Sequence, residues 1–421
     1  MKTIAIVGTG IAGMGCAYFL HKKYNLTIFE KNNYIGGHTN TIPVQEYENI
    51  ISIDTGFIVY NKVTYPNFIR LIEKLEVPTK PTSMSFSVQH VPSGLEFCGS
   101  GLDGIFAQRK NIFKPSFVKM ILQINRFNKE SLEILENEQY DSYTLAEYVA
   151  EKNYGEDFLY KYLIPMSSAV WSTPIDTMLH FPAKTLIRFF YNHGFLGLDT
   201  QHQWYTIVNG SKTYREKLIA PFKEKIHTNT SIVKVEKETD GVLLTTSNGE
   251  KKKFDMVIIA AHANEALAML AKPTEQERKL LSPFQYQKNV ATLHTDSSVM
   301  PKNKKVWSSW NYRIEEDENG KLVPSTIYSM NHLQQVSQKK EYFISIDTQK
   351  PIKQEAILWQ TMYEHPIFSL AAINAQKELS QLNENGKIYF CGSYCNYGFH
   401  EDAFTSAIEV SQKILGEDVW N

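Results

Sequence analysis

The chain opens on an unbroken apolar run, Thr3-Ile4-Ala5-Ile6-Val7, that ends in glycine. Such a run predicts a strand buried on both faces of a parallel sheet. Ile11, Met14, Ala17, Tyr18 and Leu20 then recur at helical spacing and predict a helix with one face on that sheet. Leu26-Thr27-Ile28-Phe29 supplies a second strand, so the chain begins as a βαβ unit. Residues 50–60 read as extended chain, whereas from about Thr64 the pattern turns largely helical. Thr144-Leu145-Ala146-Glu147 is a capping-box sequence, and residues 158–166 predict a helix ended near Pro165. Past Gln203 strands return at Ile232–Val235, Val242–Thr246 and Met256–Ala260. Residues 283–347 alternate aromatic and polar in strand fashion, and Ile388-Tyr389-Phe390 precedes a closing helix.

No repeat or low-complexity linker separates these blocks, which predicts two interleaved domains rather than beads on a string. With 421 residues, 43% of them hydrophobic, the chain can bury two sizeable cores. Lysine plus arginine (44) nearly cancels aspartate plus glutamate (45), so there is no global basic field to draw it to nucleic acid. Cys16, Cys98, Cys391 and Cys395 fit a reduced intracellular protein better than a disulfide framework, and Cys391 and Cys395 have no second pair to complete a metal site. A strand beginning at about the third residue leaves no room for a signal segment, and no apolar run reaches the roughly 18 to 20 residues that span a bilayer. A cytoplasmic protein is expected, with membrane contact at most peripheral.

Gly8-Thr9-Gly10-Ile11-Ala12-Gly13 stands between the first strand and its helix. There the first glycine permits a tight turn, the second lets the backbone approach a pyrophosphate, and the third lets helix and strand pack closely. The start of the helix, with Ile11 and Ala12, then offers N–H groups and a positive dipole end to the phosphates. Glu30, followed by Lys31, ends the second strand twenty residues after Gly10, where its carboxylate can accept from both ribose hydroxyls of an adenosine. This fingerprint leaves NAD and FAD open. Further on come a glycine doublet, Gly36-Gly37-His38-Thr39, and the segment Asp54-Thr55-Gly56-Phe57. Near the C-terminus stand Phe390-Cys391-Gly392-Ser393-Tyr394 and Gly398-Phe399-His400-Glu401-Asp402-Ala403.

Together these segments resemble the flavin-containing amine oxidase superfamily, which includes amine oxidases, phytoene desaturases and protoporphyrinogen oxidases. The resemblance implies FAD as cofactor and an α/β fold. A discontinuous Rossmann-type FAD-binding domain would comprise residues 1–64, 205–275 and 385–421. An α+β substrate domain of amine-oxidase-like architecture would comprise 65–204 and 276–384. It also implies that Val233 meets adenine through its backbone, that Ala261 and His262 close the nucleotide fold, and that Gly392, Ser393, Glu401, Asp402 and Ala403 meet the flavin. His38 stands where many members carry arginine, and His400-Glu401-Asp402 departs from their usual pattern. His262 is expected to be structural.

Longer stretches, such as DTGFIVYNKVTYPNF and FPAKTLIRFF, resemble a branch of these flavoproteins associated with cyclopropane-fatty-acyl-phospholipid synthases and related lipid methyltransferases. That resemblance implies a small apolar or lipid substrate, oxidised by hydride transfer to flavin N5, and a lipid methyltransferase partner. An amine or polyamine oxidase is the competing enzyme reading, served by aromatics such as Trp171, Trp204, Trp307, Trp310 and Tyr312. A flavin-bound accessory protein of the methyltransferase is a reading of another class. Tyr394, His400, Glu401 and Lys288 are the candidate catalytic groups, and no metal is expected. Residues 105–127 interleave Phe106, Ile112, Phe113, Phe117, Ile121 and Leu122 with Arg109, Lys110, Lys114, Lys119 and Arg126, a composition suited to a bilayer interface or to an ordinary helix with a solvated face.

Overall fold

Five parallel strands lie in the order Ile226–His227, Asn25–Phe29, Thr3–Val7, Met256–Ile259, Ile388–Phe390, so three distant stretches of chain build one sheet. The computed structural model from which this order is read describes residues 1–197, 200–384 and 386–420, and the expected boundary at 385 lies outside them. Ile4, Ala5, Ile6 and Val257, Ile258, Ile259 are fully buried because helices or other strands cover both faces of the sheet. Helix Ile11–Leu20 departs from the one-faced expectation. It is buried nearly all round, since the closing helix His400–Leu415 lies on its outer side and Gly15 admits that helix closely; a Cβ there would meet the Phe404 ring at 3.0 Å.

A second sheet of seven strands runs Ile357–Ile367, Gln285–His294, Phe343–Ile346, Leu322–Ser329, Trp310–Glu316, Phe86–His90, Leu95–Cys98. All its pairs are antiparallel except that of Trp310–Glu316 with Phe86–His90. A helical layer covers part of it through a core that joins Phe127, Tyr148, Phe158 and Phe190 to Tyr312 and Ile314 of the sheet. In that layer the capping box forms as read, with Thr144 N–H donating to Glu147 and Glu147 N–H returning to Thr144 Oγ1.

Pro165 does not end its helix. The chain stays helical from Glu156 to Trp171, and a π-turn at Leu159–Leu163 lets Ile164 N–H donate five residues back to Leu159. That slip places the proline, which has no N–H to give, at the start of a fresh α-helical turn where no donor is required.

The halves meet at the hairpin Thr41–Glu46/Asn49–Asp54, whose Val44 and Ile53 pack among Ala291, Leu293, Met330 and Ile344 of the second sheet and its cover. Asp54 fastens the joint. Its fully buried carboxylate accepts from Thr41 Oγ1 (2.5 Å), Ser211 N–H (2.9 Å) and Oγ (2.8 Å), and Gln334 Nε2 (2.6 Å), and burial pushes its carboxyl above the ordinary range.

Candidate functional site

Gly8 adopts φ +102°, and a Cβ on Gly13 would stand 2.0 Å from the Gly8 carbonyl oxygen, so the turn and the strand–helix crossing admit no side chain. Gly10 differs in having nothing within 4 Å of where its Cβ would lie. Helix Ile11–Leu20 starts at that open side without a side-chain cap, leaving the N–H groups of Ile11, Ala12 and Gly13 available. Gly37 approaches from across, its own Cβ position 3.4 Å from Gly10 Cα. Glu30 ties the two loops together. One carboxylate oxygen accepts from Thr9 N–H (3.0 Å) and Oγ1 (2.5 Å), the other from Asn32 N–H and Nδ2 (2.9 Å each), and Thr9 Oγ1 in turn accepts from Gly36 N–H (3.1 Å). Val233 lies at the bulge between the paired Ile232 and Lys234 and has no partner residue of its own in the ladder.

Arg215, from the helix Lys212–Ile219, reaches the same loops. Its guanidinium donates to the Ile35 carbonyl (3.1 Å), and its buried Nε has no hydrogen-bond partner among the described residues. Sequence reading missed this cation because nothing local in the segment around it signals a phosphate contact. It stands beside Gly36, whose Cβ would lie 3.1 Å from Arg215 Cδ.

Deeper in, the side chains become aromatic and uncharged. His38 stacks on Tyr363 (centroids 4.7 Å) and lies 5.6 Å from His365. The His38 carbonyl accepts from Phe57 N–H (2.8 Å), an approach that requires Gly56, where a Cβ would meet that oxygen at 2.3 Å. Tyr363 hydroxyl bonds Thr55 Oγ1 (2.8 Å), and Tyr214 hydroxyl joins Thr39 Oγ1 (2.5 Å) to His400 Nε2 (2.8 Å). His400 lies flat on Phe57, with centroids 3.7 Å apart. Burial pulls His400 down to about 3 and His365 to about 4, and it holds His38 well below the usual histidine range, with His365 adding to the effect. All three imidazoles are therefore neutral. His38 Nε2 is buried and unpartnered among the described residues.

Two cavities among the described residues lie outside this group, and neither is lined by its rings. One, of about 600 Å³, lies between the second sheet and the helices Ile164–Trp171 and Ile175–Leu179; Ile175, Val290, Leu322, Ile346, Ile352 and Ile357 give it a largely aliphatic wall. Ser172 and Asp347, also in its lining, both have left-handed backbones, at φ 52° and 50°. Each bonds Asn289, whose Nδ2 donates to Ser172 O (3.2 Å) and Asp347 Oδ2 (2.5 Å) while its Oδ1 contacts His365 Nδ1 (2.7 Å). Strained non-glycine residues at a cavity wall are a frequent mark of a working site. The second cavity, of about 940 Å³, crosses the start of the closing helix and is more polar, with Tyr65, His193, Phe399, Glu401, Asp402 and Glu409 in its lining.

A model of the family described as flavin containing amine oxidoreductase matches residues 11–336. The chain belongs to this family. It is an FAD-dependent oxidoreductase with the family's fold. Among solved structures it is similar to a putrescine oxidase bound to putrescine (11% identity, TM-score 0.68, 99% of each chain covered). It is similar also to a CLA-producing fatty acid isomerase from P. acnes (13%, 0.66, 98% of this chain and 97% of that one) and to cyclohexylamine oxidase from Brevibacterium oxydans IH-35A (14%, 0.64, 98% and 99%). At such identities the likeness is one of fold. A search of curated proteins by sequence gave no match.

Within this amine oxidoreductase fold, an open glycine crossing, an uncapped helix start, a bulged strand and an unpartnered imidazole nitrogen together fit a bound dinucleotide. Lys288 is exposed on strand Gln285–His294, opposite Glu364, because the strand's alternation turns its neighbour Asn289 inward instead. Tyr394 is buried in the core beneath the first sheet, 5.4 Å from Phe284, and its hydroxyl has no partner there among the described residues. Glu401 caps helix Pro66–Lys74, accepting from Asn67 and Phe68 N–H (2.9 Å each), and Asp402 closes the capping box at Phe399 (2.8 Å). Lys31 turns outward to Glu265 (2.5 Å). His400 does stand in the aromatic group, but burial lowers its affinity for a proton and so makes it a weak base. Gly392, Ser393, Ala261 and Ala403 cluster where the last strand meets the closing helix; Gly392 N–H donates to Ser406 Oγ (2.9 Å), and its Cβ position lies 3.4 Å from Ala261 O. Burial pushes the Cys395 thiol up to about 12, so it stays protonated. His262 stacks on Tyr286 (4.3 Å) and bonds Glu364 (3.3 Å), a packed role. Of the aromatics offered for an amine pocket, Tyr312 lines the smaller cavity, whereas Trp307 packs in a separate cluster with Phe343.

Proposed function

We propose that this flavoprotein dehydrogenates an apolar, fatty-acyl substrate held in the aliphatic cavity. The observation that carries the reading is the continuity from that wall through Ser172, Asp347 and Asn289 to His365 and His38. An acyl chain is stabilised there by roughly 25 cal/mol for each Å² of apolar surface removed from water. FAD, when bound, supplies the hydride acceptor. Gly8, Gly10, Ile11, Ala12, Gly13, Glu30, Gly36, Gly37 and Val233 would hold its adenosine diphosphate part, with Arg215 as the phosphate cation. His38, Thr39, Thr55, Gly56, Phe57, Ala261, Gly392, Ser393 and Ala403 would border the ring.

This chain's own residues then orient the substrate, exclude water and move one proton. The neutral histidines keep the inner end dry and uncharged. Of the two carboxylates in the cavity wall, Asp176 pairs with Lys321, whereas Asp347 is fixed by Asn289 Nδ2 (2.5 Å) and Val290 N–H (2.7 Å) and would take the proton that leaves the acyl chain. Anaerobic mixing of the holoenzyme with methylated acyl phospholipids or free acyl chains should bleach the flavin absorbance. A flavin that stays oxidised with every acyl compound ends the proposal.

The larger cavity favours a second reading. Its more polar lining, with Tyr65, His193 and Asn396, would suit an amine, and bleaching by amines alone would select amine oxidation.

A further inference from the structure

The segment from Gly101 to Lys129 carries a charge and a surface unlike the rest of the chain. It holds Arg109, Lys110, Lys114, Lys119, Arg126 and Lys129 against Asp103 alone, in a protein whose net charge is −1. Arg109 pairs with Asp103 and Arg126 with Glu130, whereas Lys110, Lys114, Lys119 and Lys129 have no acidic partner among the described residues. Helix Pro115–Glu130 buries Phe117, Met120 and Phe127 against the helical core. On its outward side it leaves Val118 and Leu122 exposed one turn apart, Leu122 by 63%. Just before it, Ile112 and Phe113 stand exposed in the turn Arg109–Phe113, Phe113 by 86%, and Leu102 is 74% exposed in the short helix ahead of that.

Core packing already has its share of this segment in Phe117, Met120 and Phe127, so the outward apolar residues serve no packing within the chain. Apolar side chains interleaved with unpaired lysines match a surface that is apolar beneath and anionic above, which is the make-up of an acidic bilayer interface. No helix among the described residues is long and apolar enough to cross a membrane, so the contact is peripheral.

We infer that residues 102–122 dock the protein on anionic lipid membranes, with Phe113, Ile112 and Leu122 entering the interface and Lys110, Lys114 and Lys119 meeting the headgroups. This inference rests on the surface alone and stands whether or not the acyl substrate is right.

Sedimentation of the holoenzyme with phosphatidylcholine vesicles, with and without phosphatidylglycerol, tests it. Binding is expected only to the phosphatidylglycerol vesicles and is expected to fall as salt is raised. Each of Lys110→Gln, Lys114→Gln and Lys119→Gln should weaken it by roughly fivefold. Phe113→Ser with Leu122→Ser should abolish detectable sedimentation while flavin content and melting temperature stay unchanged, because both side chains are already in water. Equal sedimentation of the serine variant, or no binding to acidic vesicles at low salt, overturns the inference. So does a protein dimer that the serine variant dissociates without lipid, which would make this face a contact between copies of the chain.

Discussion

Glu30 and His38 stand eight residues apart in the chain, yet one carboxylate takes four donors while the nearby imidazole nitrogen has none among the described residues. The nucleotide end is knitted around Glu30 by backbone N–H groups and short polar side chains close in sequence or one loop away, while the N–H groups at the start of its helix stay open. The inner end is assembled from His38, Tyr363, His365 and His400, which come from three separated segments and are desolvated to neutrality. Local polar motifs can thus be written in contiguous sequence. A dry aromatic pocket cannot, because its character depends on what tertiary packing excludes.

The change expected to disturb this contrast most is Gly13→Val. With a Cβ position 2.0 Å from Gly8 O, it should cost about 3 kcal/mol and leave the protein colourless, read by melting temperature and visible absorbance. At the inner end, Asp347→Asn should slow flavin reduction about a hundredfold or more while FAD stays bound, since it removes a proton acceptor and leaves the nucleotide end intact. A full-speed variant would remove Asp347 from the mechanism. Arg215→Gln carries the contrast back to the phosphates. It should weaken FAD binding by about ten- to a hundredfold in titrations of the apoprotein, with the reduction rate of the loaded enzyme unchanged.

Smaller effects test the closing helix between the two ends. Glu401→Ala should lower stability by about 1 kcal/mol through loss of the cap on helix Pro66–Lys74, and should leave flavin reduction within twofold. Asp402 gives a pH signature. Burial raises its carboxyl from 3.8 to about 7, against the donors Phe399 N–H and Asn396. Between about pH 4 and 7 the folded protein therefore holds a proton that the unfolded chain has released, and this group's contribution to stability falls as pH rises through that window. Asp402→Asn should flatten that part of the stability profile in chemical denaturation. His400 has the opposite sign: with its folded value near 3, stability falls as pH drops below about 6.5, where the unfolded histidine takes up a proton first.

Much of the architecture was legible in the residues. The apolar run at Thr3–Val7, the glycine crossing with Glu30, the capping box at Thr144 and the last strand at Ile388–Phe390 are local patterns, and each forms in the structure. Pro165 does not end its helix because the π-turn before it relieves the cost that ends most helices at proline. Which way Lys288 and Tyr394 face is not written in their segments, because packing sets it. One lies on the exposed side of its strand and the other in the core.

The glycine crossing at Gly8, Gly10 and Gly13 can be read from the residues alone, since tight turns and close helix–strand approach demand glycine at fixed spacing wherever they occur. That Arg215 reaches Ile35, that Asp54 fastens the two halves, and that Asn289 joins the aliphatic cavity to His365 follows instead from the packing of the whole fold. Those contacts join residues far apart in the chain, and no local spacing encodes them. Their chemistry arises from burial, which is a property of the folded whole.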